Sequence, residues 1–237
     1  MERADKILAG TGRWSRRECA ELIRAGRVTA DGAPVARRED KYPPGTVFRV
    51  DGEAVSTEKM IYLMLHKPAG VVSATDDPRE ATVLSLLPAH LRRVGLFPAG
   101  RLDKDTVGLL LLTNDGALAH ALLSPKRHVD KVYLVEVEGT LDDADVDAFA
   151  RGMTLADGYC CLPAGLEVVG PGRGLVTLHE GKYNQIKRMC AARGKPVVHL
   201  KRLRFGPLEL DPALGEGQWR PLTGEETAAL RQAPGRT

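Results

Sequence analysis

Between Gly100 and Gly108 the chain carries a carboxylate, Asp103, in a tight glycine-bounded turn with Asp105 two residues on, and then runs at once into four leucines, residues 109–112. The whole stretch, residues 98–116, reads Pro-Ala-Gly-Arg-Leu-Asp-Lys-Asp-Thr-Val-Gly-Leu-Leu-Leu-Leu-Thr-Asn-Asp-Gly. A polar side chain on a loop that leads into an apolar strand is a common way to hold a reactive group still. The run of leucines therefore predicts a buried strand, and the turn before it a functional loop.

Three readings of Asp103 compete. As the start of a calcium loop it needs further oxygen ligands at fixed spacing and a glutamate at the twelfth position. Val107 and Asn114 stand at the deciding places, which excludes this reading. Asp103 and Asp105 could form the carboxylate pair of a glycosidase. Their spacing does not exclude that, and no further motif supports it. The third reading is a single nucleophile. Against all three stands an aspartate that merely caps a turn, the common role of an isolated Asp.

Composition narrows the class. Of 237 residues 43% are hydrophobic and 27% charged, the profile of a globular protein. The longest apolar run, residues 107–112, is far below the roughly 20 residues of a membrane span. The N-terminus, Met-Glu-Arg-Ala-Asp-Lys, has no apolar signal core. A cytoplasmic monomer without membrane attachment is expected. The four cysteines, Cys19, Cys160, Cys161 and Cys190, form no Cys-x-x-Cys pair, and no His-Glu-x-x-His occurs. No metal site is expected. Gly10-Thr-Gly12 follows a predicted helix rather than a strand, so it is no dinucleotide loop.

Positive charge is uneven. Residues 1–50 carry 11 Lys/Arg against 7 Asp/Glu, and residues 182–204 carry eight Lys/Arg and no acid. Clustered cations suit a phosphate backbone, which admits RNA or DNA as a partner, but a charge run is more often just a solvated face and does not by itself select one. In the first cluster a short helix is predicted over 3–12. Ser15-Arg-Arg-Glu18 is a capping box that opens a second helix, with Cys19, Leu22 and Ile23 on one face and Gly26 at its end. Asp31-Gly32 marks a hairpin over 28–35, Pro43-Pro44-Gly45 a turn, and residues 46–50 a strand. Two helices followed by a small β unit, with Arg3, Arg13, Arg16, Arg17, Arg24 and Arg27 around them, resemble the ribosomal protein S-four-type RNA-binding domain. The resemblance implies that Arg3, Arg13, Arg16, Arg17 and Arg27 contact RNA.

Residues 51–59 are polar and patternless and read as a linker, which divides the chain into domains at 1–50 and 60–237. Beyond it, strands are predicted at 60–65, 131–138, 175–179 and 196–203. Helices are predicted at 143–151 and 184–193, the latter with Ile186, Met189 and Cys190 inward. Thr223-Gly-Glu-Glu226 is a second capping box, opening a last helix. Strands and helices do not alternate strictly. The class is therefore α+β, a small helix–hairpin domain followed by a mixed, largely antiparallel sheet flanked by helices.

The stretch around Asp103 also resembles the signature motif of the pseudouridine synthases, in the form used by the RsuA family. So do Leu65-His-Lys-Pro-Ala-Gly70, residues 73–78, Thr82-Val-Leu, Ser124-Pro, Glu180-Gly-Lys-Tyr-Asn-Gln-Ile-Lys187-Arg-Met189 and Trp219-Arg-Pro-Leu-Thr223. The resemblance implies that uridine in RNA is isomerised without a cofactor, most naturally one uridine of small-subunit ribosomal RNA. Large-subunit or transfer RNA is the alternative, as is a non-catalytic ribosome-assembly protein. Asp103 would be the nucleophile or base, Tyr133 the aromatic residue against the flipped uracil, and Lys187 the cation beside Asp103. Arg101 and Leu200 would bind the nucleotide, while Arg188, Lys201 and Arg202 would contact RNA. The motif departs from other branches at Asn184 and Lys187.

Overall fold

The computed structural model describes residues 1–57, 60–124 and 129–233. Glu58 and Lys59 of the expected linker, and Pro125 of the Ser124-Pro pair, lie outside the described residues. The chain forms two compact units, residues 1–61 with 84–97 and residues 62–83 with 98–237.

The first unit opens with β1 (Glu2–Arg3), α1 (Ala4–Ala9) and α2 (Arg16–Arg24). Ser15 caps α2 reciprocally: its Oγ accepts from Glu18 N at 3.2 Å, and its own N–H donates to Glu18 Oε2 at 2.6 Å. That satisfies two of the four orphan donors of the helix start. The amphipathic face then buries Cys19, Leu22 and Ile23 against Leu8, Val28 and Phe48. The helix ends at Ala25, and Gly26 follows with φ +70°. β2 (Val28–Ala30) turns into β3 (Ala33–Pro34) through Asp31 and Gly32, whose φ of 49° and 85° are the two positive angles of a primed turn. β4 (Lys41–Tyr42) pairs with β1.

β5 (Phe48–Val50) pairs with β2 on one side and with β6 (Glu53–Val55) on the other. The stretch expected as a linker thus begins with an ordered strand, and paired structure runs through Val55. Asp51 (φ 51°) and Gly52 (φ 82°) form the turn into it. Three residues with one buried side chain are too short to show an alternation. Residues 84–97, which contain α3 (Ala89–Arg92), also belong to this unit, so its boundary is not one point in the sequence.

In the second unit a long sheet runs in the order β11-β12-β10-β13-β9-β7-β15. The strands are β7 (Tyr62–Lys67), β9 (Val107–Thr113), β10 (Lys131–Val137), β11 (Gly165–Gly170), β12 (Arg173–Leu178), β13 (Val197–Phe205) and β15 (Trp219–Pro221). The short β8 (Phe97–Pro98) leads into the unit, and β14 (Leu208–Glu209) pairs with β13. Helices α4 (Gly116–Leu123), α5 (Asp143–Arg151), α6 (Gln185–Ala192) and α7 (Gly224–Gln232) flank the sheet. Every residue of β7 and β9 is buried, as the leucine run requires for a strand covered on both faces. The fold is α+β with a mixed, largely antiparallel sheet. Its parallel contact joins β9 and β13, with Lys201 opposite Val107 and Arg202 opposite Gly108.

Gly108 makes that contact possible. Its φ is +108°, and a Cβ there would lie 2.3 Å from Arg202 O and 2.6 Å from Arg202 N. Only glycine lets the two backbones approach this closely.

Candidate active site

The parallel register decides where the site lies. It sets the loop just before β9 beside the middle of β13, so Thr106 comes next to Leu200. Tyr133 on β10 stands opposite Arg202, and Val135 opposite Leu200. With period-two alternation, Tyr133, Leu200 and Arg202 then share one face of the sheet. A cavity of about 80 Å³ on that face is lined by Arg101, Asp103, Thr106, Tyr133, Asn184 and Leu200, among others. The structure thus brings four predicted site residues, Arg101, Asp103, Tyr133 and Leu200, into one pocket.

The loop that carries Asp103 is pinned from the segment after β7. Ser73 Oγ donates to Leu102 O at 2.8 Å and accepts from Leu102 N at 3.0 Å. Gly70 N donates to Lys104 O at 2.8 Å, and Thr106 N donates to Asp103 O at 3.1 Å. Lys104 pairs with Glu80 at 2.7 Å. Beneath the loop lies Lys67, fully buried, donating from Nζ to Pro68 O (3.0 Å), Lys104 O (3.2 Å) and Thr106 O (2.9 Å). Its three protons meet three carbonyls. Burial pushes its pKa down to about 8, although Asp105 and Asp103 pull the other way. Lys67 and Ser73 fall inside family-like motifs, but nothing in their spacing marks them as loop anchors. A lysine closing an entirely buried strand is the one local signal.

Asp103 is about one-third exposed, and among the described residues no group donates a hydrogen bond to its carboxylate. Its partner is Lys187, whose Nζ lies 3.8 Å from Oδ2. The same ammonium hydrogen-bonds Asp105 Oδ1 more closely. The cation expected beside Asp103 is therefore shared, and its shorter contact goes to the neighbour. That hydrogen bond holds the Asp105 carboxyl below its usual range against the opposing effect of burial. Asp105 remains largely exposed and does not line the pocket.

Other expected RNA contacts come out differently. Arg202 is 2% exposed, donates from Nε to Leu109 O at 2.7 Å and stacks on Phe205. It is a buried structural cation and presents nothing to a phosphate. Lys201, one residue away on an alternating strand, lines a separate cavity with Val132, Thr177 and Arg204 on the opposite face of the sheet. Arg188 is paired with Asp157 at 2.5 Å. Arg193 and Lys195 both hold the buried Asp145, and Lys182 lies over the Tyr159 ring. Within the basic block of residues 182–204, Lys187, Arg188, Arg193 and Lys195 are thus paired with acids distant in sequence. The block does not form one continuous positive strip.

In the first unit, Arg3, Arg16, Arg17, Arg24 and Arg38 line a groove of about 670 Å³, with Asp5 and Glu21. Asp5 is buried beneath it. Burial alone would raise its pKa, but hydrogen bonds from Arg3 and Arg16, both at 3.0 Å, outweigh that and hold it low. Arg17 and Arg24 remain exposed. Arg27 is clamped by Asp51 at 2.7 and 2.5 Å, and Arg13 is exposed; neither lines the groove.

A family model described as RNA pseudouridylate synthase matches residues 61–192. An uncharacterised RNA pseudouridine synthase of Bacillus subtilis is 46% identical over 97% of this chain and 98% of its own. The ribosomal small subunit pseudouridine synthase A of Pseudomonas aeruginosa is 43% identical over 96% of this chain and 100% of its own, and that of Escherichia coli K12 is 41% identical over 96% and 99%. A crystal structure of a pseudouridylate synthase superposes with a TM-score of 0.69 at 35% identity, covering 97% of this chain and 100% of the other.

Proposed function

The chain belongs to the RNA pseudouridylate synthase family and is an RNA-modifying isomerase, and on that premise we propose that it converts one uridine of small-subunit ribosomal RNA to pseudouridine, with Asp103 as the reacting carboxylate. The target class rests on the small-subunit relatives, which match nearly the full chain. The observation that carries the assignment of Asp103 is its position in a pocket with Tyr133 and Leu200, unblunted by hydrogen bonds and 3.8 Å from a cation.

The reaction needs no added atoms. The bond from ribose to N1 breaks, the uracil turns, and a bond forms from the same ribose carbon to C5. C5 gives up a proton and N1 gains one. A carboxylate serves this sequence as covalent nucleophile or as base toward the sugar. A base stacked over Asp103 removes water from its carboxylate, and the Lys187 ammonium 3.8 Å away supplies charge in place of that water. Tyr133 offers the flipped uracil a ring face, and Leu200 packs beside it. Arg101, at the rim, suits the phosphate of the extruded nucleotide.

Extruding a stacked uridine costs a few kcal/mol. The arginine groove of the first unit supplies phosphate contacts that offset it, in keeping with an S-four-type module acting in the cytoplasm. The test is to incubate the protein with small-subunit ribosomal RNA and map pseudouridine. One modified position, absent from the RNA of cells that lack the protein, supports the reading. Modification confined to large-subunit or transfer RNA overturns the target class.

A further inference from the structure

Two residues that line the pocket each hold a buried polar atom that has no hydrogen-bond partner among the described residues: Thr106 Oγ1 and Asn184 Oδ1. Thr106 is fully buried. An unpaired buried polar atom costs stability, so such atoms call for a partner that arrives from outside. We propose that these two atoms read the edge of the base, Asn184 Oδ1 accepting from uracil N3–H and the Thr106 hydroxyl donating to a flanking carbonyl. This rests on the reading that the pocket receives a uridine.

The local structure aims Asn184 at that task. It stands at the N-cap of α6, where an asparagine side chain ordinarily bonds the free amides of its own helix. Here it makes no such bond. The backbone is left-handed, φ 48° and ψ 32°, a conformation asparagine tolerates and most residues do not. Gln185 holds the turn closed: its Oε1 accepts from Lys182 N at 3.0 Å and its Nε2 donates to Glu180 Oε1 at 2.6 Å. Glu180 is tied down in turn by the Tyr159 hydroxyl at 2.7 Å and Leu162 N at 2.9 Å. The backbone that carries the carboxamide is therefore set in place before any ligand enters.

The chemistry selects the base. Uracil carries one ring donor, N3–H, between two carbonyls, so an acceptor beside a hydroxyl donor matches its edge. Cytosine presents a lone pair at N3, and two acceptors facing each other repel. A site built for a hydrogen bond strongly rejects the analogue that lacks the group.

The experiment uses the full chain and an RNA fragment in which the wild type converts a uridine. The same fragment is made with 3-methyluridine, and with 2′-deoxyuridine, at that position. Asn184→Gly removes the carboxamide, opens space and suits the left-handed backbone, so the fold is kept. The wild type should lose at least about 100-fold in kcat/KM on 3-methyluridine. Asn184→Gly should be at least tenfold slower on uridine, yet lose less than threefold more on 3-methyluridine. Thr106→Val should be at least tenfold slower, with Thr106→Ser restoring activity to within threefold. Equal 3-methyl penalties in wild type and Asn184→Gly would overturn the N3 contact, as would a coupling found with 2′-deoxyuridine instead. Thr106→Val at the wild-type rate overturns the role of Thr106. A wild type that converts no uridine in any RNA overturns the underlying reading as well, which sets that failure apart.

Discussion

Lys187 Nζ stands 3.8 Å from Asp103 Oδ2 while its hydrogen bond goes to Asp105, two residues further along the same loop. The neighbour holds the cation at a distance where it still stabilises the Asp103 charge but does not occupy its lone pairs. Lys187→Met should therefore lower kcat by about 10²-fold, the scale of removing one aimed electrostatic group. Asp105→Asn should cost less than about tenfold, since Lys187 is then free to turn to Asp103. Single-turnover pseudouridine formation measures both. Equal losses at Asp105→Asn and Asp103→Asn would revive the paired-carboxylate reading.

Lys67 should give the enzyme an alkaline limit. In the unfolded chain it stays charged up to its ordinary pKa of 10.5, in the folded protein only to about 8. Between those values the unfolded chain holds more protons, so this group adds stability as pH rises from 8. Activity should move the other way, because a neutral amine has two hydrogens for three carbonyls and the positive charge beneath the loop is gone. The kcat/KM profile should fall with an apparent pKa near 8, and Lys67→Met should be slow with no such limb. A wild-type profile flat from pH 7 to beyond 10 would contradict this.

The groove of the first unit calls for a particular pair of variants. Arg16 is bonded to the buried Asp5, so Arg16→Glu would set like charges together and destabilise the unit. Arg17→Gln with Arg24→Gln removes exposed charge, breaks only the exposed Arg17–Glu21 contact at 3.3 Å and spares the buried pair. The double variant should raise KM, leave kcat within about twofold and keep its melting temperature. The salt dependence of RNA binding should flatten by about 0.7 in log–log slope for each single-strand phosphate that the variant no longer neutralises. An unchanged slope would remove the groove from recognition.

Gly108→Ala should destabilise the second unit by about 3 kcal/mol or more, since a positive φ and a backbone clash with Arg202 add together. For a chain of this size that is a fall in melting temperature of roughly 6–12 °C. Gly217→Ala also meets a positive φ but nothing within 4 Å, so it should cost only the strain, about 1 kcal/mol. Calorimetry on the two variants separates the effects, and equal shifts would contradict the tight approach of β9 to β13 at this glycine.

What was legible in the sequence was local. The Ser15–Glu18 and Thr223–Glu226 capping boxes, the Asp31-Gly32 turn and the leucines of β9 each carry their own hydrogen bonds or burial pattern within a few residues. β11 stayed hidden because most of its side chains are exposed, and β15 because a three-residue strand ending in proline shows no alternation. α4 begins with glycine and is apolar nearly all round, so no face stands out. The site residues that went unread were set by pairing across the fold. Lys67 reaches carbonyls 37 and 39 residues away, and Arg202 is buried against Leu109, 93 residues away. A charge count along the chain cannot see that Arg188 meets Asp157 or that Arg193 and Lys195 share Asp145.

The central claim is that Asp103 alone carries the chemistry of the pocket, and Asp103→Asn tests it most directly, being close to isosteric and removing only the charge. Pseudouridine formation is measured under single turnover beside RNA affinity and melting temperature. The expected result is that product falls by at least about 10³-fold, the scale for a key catalytic group, while affinity and melting temperature stay at the wild-type values. Residual turnover above about one part in a thousand, in a variant that folds and binds like the wild type, would contradict it.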